Sequence, residues 1–252
     1  MSALEPYSPD RSLKGKLRRR WARAVHRRPL GGAIDGPLIS FSFDDSPRSA
    51  ATAGAQILEA HGKRGTYYVC AGLDGKPGHM GDYADRRDYA DLSVRGHEIA
   101  CHTFSHLDCG KASEPDIDRD VDRNIEALSE VGITTRHFAY PYGDVSPGAK
   151  RVLNRRFGSL RALHPGLVTP GTDLNQLPAV GIEGPDGERR AAAWIDRAIH
   201  QRAWLILYTH DVRETASDWG CTPDAFDRLV RRASAGAHVA PVGTVLGRLG
   251  IV

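Results

Sequence analysis

From Leu38 onward, short apolar or β-branched runs alternate with segments of helical periodicity, a pattern that favours a parallel sheet assembled from βα units. Strands are predicted at 38–43, 66–70, 97–101, 137–140, 159–163, 177–182, 204–209 and 238–242. Between them, Ile117, Val121, Ile125, Leu128 and Val131 recur at three- and four-residue steps, which predicts an amphipathic helix starting near Ser113, with Glu114, Pro115 and Asp116 suited to its first turn. Thr222 and Pro223, followed by Phe226, Leu229, Val230 and Ala233, predict a second capped helix. Glycine- and proline-rich pieces at 72–81, 141–148, 165–171 and 181–187 mark loops, several directly after a strand, where α/β barrels build their sites. A length of 252 residues accommodates one such barrel over residues 38–252, preceded by an extension over 1–37.

The extension differs in charge. Residues 11–28 carry nine Lys or Arg and no acid, so the formal net charge of +3 conceals 25 basic against 31 acidic residues elsewhere. Leu13, Leu17, Trp21 and Val25 recur every four residues among these cations, which predicts a basic amphipathic helix. The favoured expectation is that its apolar stripe docks on the barrel exterior. The sharper one places it on anionic lipid. No run of eighteen apolar residues exists and no apolar stretch follows the basic segment as a secretory signal requires, so a cytoplasmic protein is expected, peripheral to the membrane on the sharper reading. Cys70, Cys101, Cys109 and Cys221 form no Cys-x-x-Cys pair and read as reduced thiols rather than a disulfide framework. No nucleic-acid partner is expected.

Two segments carry most of the chemistry. The apolar strand through Phe43 ends on Asp44 and Asp45, and burying two carboxylates there is costly without compensating charge. Adjacent residues point in different directions, which suits one carboxylate on a metal and one facing substrate; the simpler alternative is a helix N-cap before Ser46-Pro47. In the second segment, an alternating strand runs into His102-Thr103-Phe104-Ser105-His106, an i, i+4 pair that one helical turn would bring to a shared metal. Alternation assigns His97 a structural place and Glu98 to interior hydrogen bonding. Further along, Pro141-Tyr142-Gly143 forms a tight turn able to present a backbone N–H to an oxyanion, and a buried strand ends at Tyr208-Thr209-His210, with Tyr208 and His210 on one face.

In order and spacing these segments resemble the NodB-type polysaccharide deacetylases, carbohydrate esterase family 4, over the region from Leu38 to the C-terminus. Phe43-Asp44-Asp45 is similar to the family's first motif, His102 to His106 to the second, Pro141-Tyr142-Gly143 to the third and Tyr208-Thr209-His210 to the last. The resemblance implies a distorted (β/α) TIM-like barrel and one divalent metal, zinc before cobalt or nickel, held by Asp45, His102 and His106. It further implies Asp44 as general base, His210 as the acid that protonates the leaving amine, and the Tyr142 N–H, with Pro141 and Tyr208, at the oxyanion and substrate. The substrate implied is an acetamido sugar or glycan precursor that loses its N-acetyl group. An O-acetyl carbohydrate esterase, or a silent barrel that only binds sugar or metal, are the alternatives.

Three positions depart from the family pattern. Ala139 stands where the third motif has an arginine, and Arg161 on a neighbouring strand is the candidate replacement. The fourth motif, an Asp and a Trp behind the acid histidine, has no clear counterpart, Asp173 being the nearest carboxylate. Tyr208 occupies a place where a pocket leucine is usual.

Overall fold

The structure, a computed structural model, describes residues 12–251. Its helices are α1 (Leu13–Ala24), α2 (Ala55–Ala60, preceded by a π-helical turn over Ala50–Gly54), α3 (Arg86–Val94), α4 (Glu114–Ser129), α5 (Pro147–Leu153), α6 (Gly187–Gln201), α7 (Pro223–Gly236) and α8 (Val242–Arg248). The strands are β1 (Leu38–Asp44), β2 (Thr66–Val69), β3 (Pro77–Gly78), β4 (Gly81–Asp82), β5 (Glu98–Cys101), β6 (His137–Ala139), β7 (Ser159–Arg161), β8 (Val180–Gly181), β9 (Trp204–Thr209) and β10 (His238–Val239).

Apart from the small β3–β4 hairpin, every strand joins one all-parallel sheet in the order β7-β6-β5-β2-β1-β9-β8, with β10 also pairing with the start of β1. Parallel strands require crossovers, and the helices supply them, as the alternating sequence predicts. The sheet curls toward a barrel whose seam lies between β7 and β8. A single parallel bridge, Arg161 to Leu177, links the two edges across it. Strand β1 lies at the centre, buried along all seven residues and in register with β9 from Leu38 against Trp204 to Phe43 against Thr209.

Six of the eight predicted strands are shorter than expected, and the two that shrink most do so for a common reason. Proline has no N–H to give a ladder. Pro178 confines the predicted run over 177–182 to Val180–Gly181, and Pro241 ends the last strand at Val239 and caps α8. The helices at Ser113 and Thr222 form as expected, each with its hydroxyl accepting the N–H three residues on. From α7, Phe226 packs edge-on to Phe41 at 5.4 Å between ring centroids, while Phe43 stacks on Tyr67 at 4.7 Å. All four cysteines are buried and unpaired.

The N-terminal helix forms, but facing the other way from the favoured expectation. Leu13, Leu17 and Trp21 are 79%, 67% and 62% exposed, whereas Ala22 is buried among Tyr140, Val145 and Phe157. Polar contacts fix this orientation. Arg18 donates to the Gly110 carbonyl at 2.5 Å and pairs with Asp144 at 2.6 Å, and Lys150 donates to the Ala22 carbonyl at 2.8 Å. No helix among the described residues is long and apolar enough to cross a membrane.

Candidate active site and metal centre

The C-terminal ends of β1, β5, β6 and β9 converge on one mouth of the barrel, where parallel strands deliver side chains and loops together. Asp45, just past β1, meets His102 and His106, just past β5. Its Oδ1 lies 3.5 Å from His102 Nε2 and 3.3 Å from His106 Nε2. One ligand atom from each residue falls within 4.8 Å of the others, and all three residues are buried. A cation fits this set for two reasons. Asp45 Oδ1 is buried without a hydrogen-bond partner, which is costly for a carboxylate unless positive charge supplies it. His102 Nδ1 lies 2.8 Å from the Ala139 carbonyl, so it carries the proton and leaves the Nε2 lone pair facing Asp45. Burial pushes the His102 imidazole down to about 4, which keeps it neutral, as a ligand must be.

The histidine pair does not come together on a helical turn. Residues 102–106 form a loop with Thr103 at φ 64° and His106 at φ 58°, both left-handed. Asp45 and Ser46 share that conformation at 58° and 53°, and Tyr142 at 59°. Five of the seven non-glycine residues with positive φ among those described therefore sit in this site, where packing must hold a backbone costing about 1–3 kcal/mol per residue. Asp120 on α4 is part of that hold. Its carboxylate accepts the Phe104 and Ser105 N–H groups at 2.7 and 2.9 Å and the Ser105 hydroxyl at 2.7 Å. Neither Asp44 nor Asp45 caps the helix that follows, which has no side-chain cap.

Asp44 points away from the triad, as alternate directions for neighbouring residues require. It is 2% exposed and meets the fully buried Arg161, whose Nη2 lies 2.6 and 2.7 Å from its two oxygens. Arg161 reaches it from β7, the strand beside that of Ala139, the two residues being direct register partners. A guanidinium one strand over thus supplies the positive charge that Ala139 cannot. The aromatic faces of Tyr68 and Tyr208, 4.9 and 5.4 Å from the guanidinium carbon, flank its charge.

The remaining predicted residues line the same mouth, with one exception. Pro141 to Gly143 makes a tight turn, and Tyr142 packs edge-on to His106 at 4.4 Å. Gly143 has φ 65°, and a Cβ there would fall 2.4 Å from that of Leu163 and 2.8 Å from its backbone nitrogen, so no other residue fits. His210, past β9, is partly exposed, with Nδ1 3.2 Å from the Trp219 carbonyl and its ring edge-on to Tyr208. Asp173 is the exception. It pairs with Lys150 at 2.6 Å and accepts the Arg28 N–H at 2.9 Å, anchoring the N-terminal segment rather than supporting His210.

Three contributors were not anticipated. Besides Asp120, Glu183 accepts the Tyr208 hydroxyl at 2.8 Å, and burial raises its pKa against the opposing pull of that hydrogen bond and of His210. Buried Asp211 accepts from Arg213 at 2.8 Å and the Ser217 N–H at 2.9 Å, shaping the loop that brings the Trp219 carbonyl to His210. Only Asp120 left a sequence signal, an acid three residues after Ile117 on the face that α4 buries. Glu98 and His97 lie at the opposite end of the barrel. Glu98 accepts from Thr66 and the Gly243 N–H, and His97 bonds Glu59 and the Gly65 N–H.

Residues 32–156 match the family model for polysaccharide deacetylase. A chitooligosaccharide deacetylase from Sinorhizobium fredii is 28% identical over 131 residues, covering 49% of this chain and 53% of that protein, so the chain spans about half the length of the curated relative it matches. Among solved structures, a polysaccharide deacetylase described as putative from Mycobacterium smegmatis superposes with a TM-score of 0.65 at 19% identity, covering 89% of this chain and 95% of that one. The chitin deacetylase of Colletotrichum lindemuthianum gives 0.62 at 16%, covering 87% and 92%. A carbohydrate esterase family 4 pseudoenzyme from Bacillus anthracis gives 0.57 at 12%, covering 85% and 67%, so the fold alone does not separate active from silent members. With the family match and the distorted parallel barrel in agreement, the chain belongs to the polysaccharide deacetylases of the NodB type, carbohydrate esterase family 4.

Proposed function

We propose that this protein is a metal-dependent hydrolase that removes the N-acetyl group from an acetamido sugar or glycan precursor. The observation that carries the reading is the division of labour between adjacent carboxylates: Asp45 faces two imidazoles while Asp44 faces Arg161. A silent binding barrel has no use for that second, separately clamped carboxylate.

Asp45, His102 and His106 would hold the ion, with zinc the best match to two imidazoles and one carboxylate. The chemistry such an ion would supply there is polarisation of the acetyl carbonyl and a more acidic water. Asp44 takes the proton of the attacking water, its carboxylate fixed by Arg161. The Tyr142 backbone borders the place where the carbonyl oxygen gains charge, and the strained turn fixes its position. His210 donates a proton to the departing amine, which leaves poorly without one. Its Nδ1 proton is held by the Trp219 carbonyl, which directs Nε2 to the cleft. Tyr208 and Glu183 form the wall beside it.

Four buried, unpaired cysteines fit the reducing cytoplasm, and with it an internal substrate rather than a mature extracellular polymer. The test is acetate release from free, nucleotide-linked, lipid-linked and oligomeric N-acetyl sugars, with O-acetyl sugars alongside, each with and without chelator. Chelator-sensitive release from at least one class supports the reading. Release from O-acetyl sugars alone makes the protein an esterase, and no release from any class by metal-loaded protein makes it a binding barrel.

A further inference from the structure

An apolar helix face normally turns inward, yet α1 presents its apolar face to solvent. Leu13, Leu17 and Trp21 account for three of the five large hydrophobic side chains exposed among the described residues. At 100° per residue they span one narrow stripe, with exposed Lys16, Arg20 and Arg23 along one edge. None of these three cations pairs with a carboxylate among the described residues.

The helix is not loosely attached. Its inner face is pinned by Arg18 on Asp144 and Gly110 and by Lys150 on the Ala22 carbonyl. The segment after it is held as firmly, by the Asn175 amide on the His26 carbonyl at 2.7 Å and by reciprocal backbone bonds of Leu30 with Thr172 and Gly171. Rolling the stripe inward would strip buried Asp144 of its ion pair with Arg18, so the exposure of the stripe is built into the fold. Gly110 lies on the loop that follows the histidine pair, and Asp144 directly follows the Tyr142 turn. The helix is thus fastened to two loops of the catalytic mouth.

We propose that the outer face of α1 docks on an anionic phospholipid bilayer. Leucines and a tryptophan enter the headgroup boundary while the flanking cations meet lipid phosphates, the division of labour of interfacial helices. A soluble protein partner would need acidic complement to the cations and a shaped cleft for the stripe, whereas a bilayer offers charge and apolar depth together. Given the deacetylase reading, docking brings the catalytic mouth to the headgroups, where acetamido sugars carried on lipids are presented.

Flotation of the full chain with vesicles tests this directly, and binding needs neither substrate nor metal, so its failure leaves the deacetylase reading standing and the reverse. The expected result is at least tenfold more protein on phosphatidylglycerol-containing vesicles than on phosphatidylcholine alone, reversed by high salt. Leu17→Ser with Trp21→Ser, and separately Arg20→Glu with Arg23→Glu, should each lower binding at least tenfold with an unchanged melting temperature. No binding to anionic vesicles, equal binding by the variants, or a dimer in light scattering that the Leu17→Ser, Trp21→Ser protein loses would each overturn the proposal.

Discussion

The two sides of the catalytic mouth are built differently. On one side, Asp44 is buried at the end of the central strand and held by a buried arginine whose own position is set by strand register. On the other, His210 is partly exposed and its orientation depends on one carbonyl from a loop shaped by Asp211. The base role proposed for Asp44, which needs a fixed angle to water, benefits from a rigid scaffold. The acid role proposed for His210, which needs reach to a leaving group, gains from a loop, which can adapt to what binds.

Removing a ligand should collapse both sides at once. Asp45→Ala leaves the two imidazoles without their shared carboxylate, so metal content should fall well below one per chain and acetate release should disappear; atomic absorption beside the activity assay measures both. Arg161→Met probes the rigid side alone. It strands a buried carboxylate, and breaking such a pair costs about 3–5 kcal/mol, so chemical denaturation should show a loss of that order together with a lower kcat. An unchanged midpoint would mean that Asp44 has another partner.

His210→Ala probes the adaptable side. Amide turnover should fall by ~10²–10⁴-fold while stability changes little, because the side chain is partly exposed and makes one hydrogen bond. O-acetyl substrates, whose alkoxide leaves more readily than an unprotonated nitrogen, should lose much less. An equal loss on both would remove His210 from the acid role.

The smallest effect lies at the opposite end of the barrel. Burial lowers the pKa of His137 against the pull of Glu98, and lowers that of His97 against its hydrogen bond to Glu59. The unfolded chain, with imidazoles near pH 6.5, therefore binds more protons than the fold just below that pH. Stability is complete above ~6.5 and declines as pH falls through the depressed values in the fold. Melting curves of metal-loaded protein between pH 7.5 and 5 should show the decline, and His137→Gln should reduce it.

Legibility in the sequence followed the same divide. Strand positions and the convergence of Asp45, His102 and His106 were readable because each depends on contiguous residues: an apolar run ending in two acids, a strand ending in a histidine pair. The arginine was half readable, since Ala139 marked a gap but only register could show that Arg161 fills it. Glu183 was hidden because an isolated acid before Gly184-Pro185 reads as a loop residue, and its partner Tyr208 is 25 positions away. Asp173 misled because proximity in sequence was the sole guide, whereas Lys150 supplies its charge partner. The N-terminal helix misled for a physical reason. Amphipathicity predicts that apolar residues face inward, and here Arg18, Asp144 and Lys150 decide the orientation instead.

The account rests most heavily on the separation of Asp44 from Asp45. Asp44→Asn is nearly isosteric, so metal content and acetate release measured on the same preparation test it. The prediction is one metal per chain retained, with release lowered by ~10²–10⁴-fold, the contribution expected of a positioned base. Loss of the metal along with activity would make Asp44 a ligand rather than the base, and undiminished release would contradict the account outright.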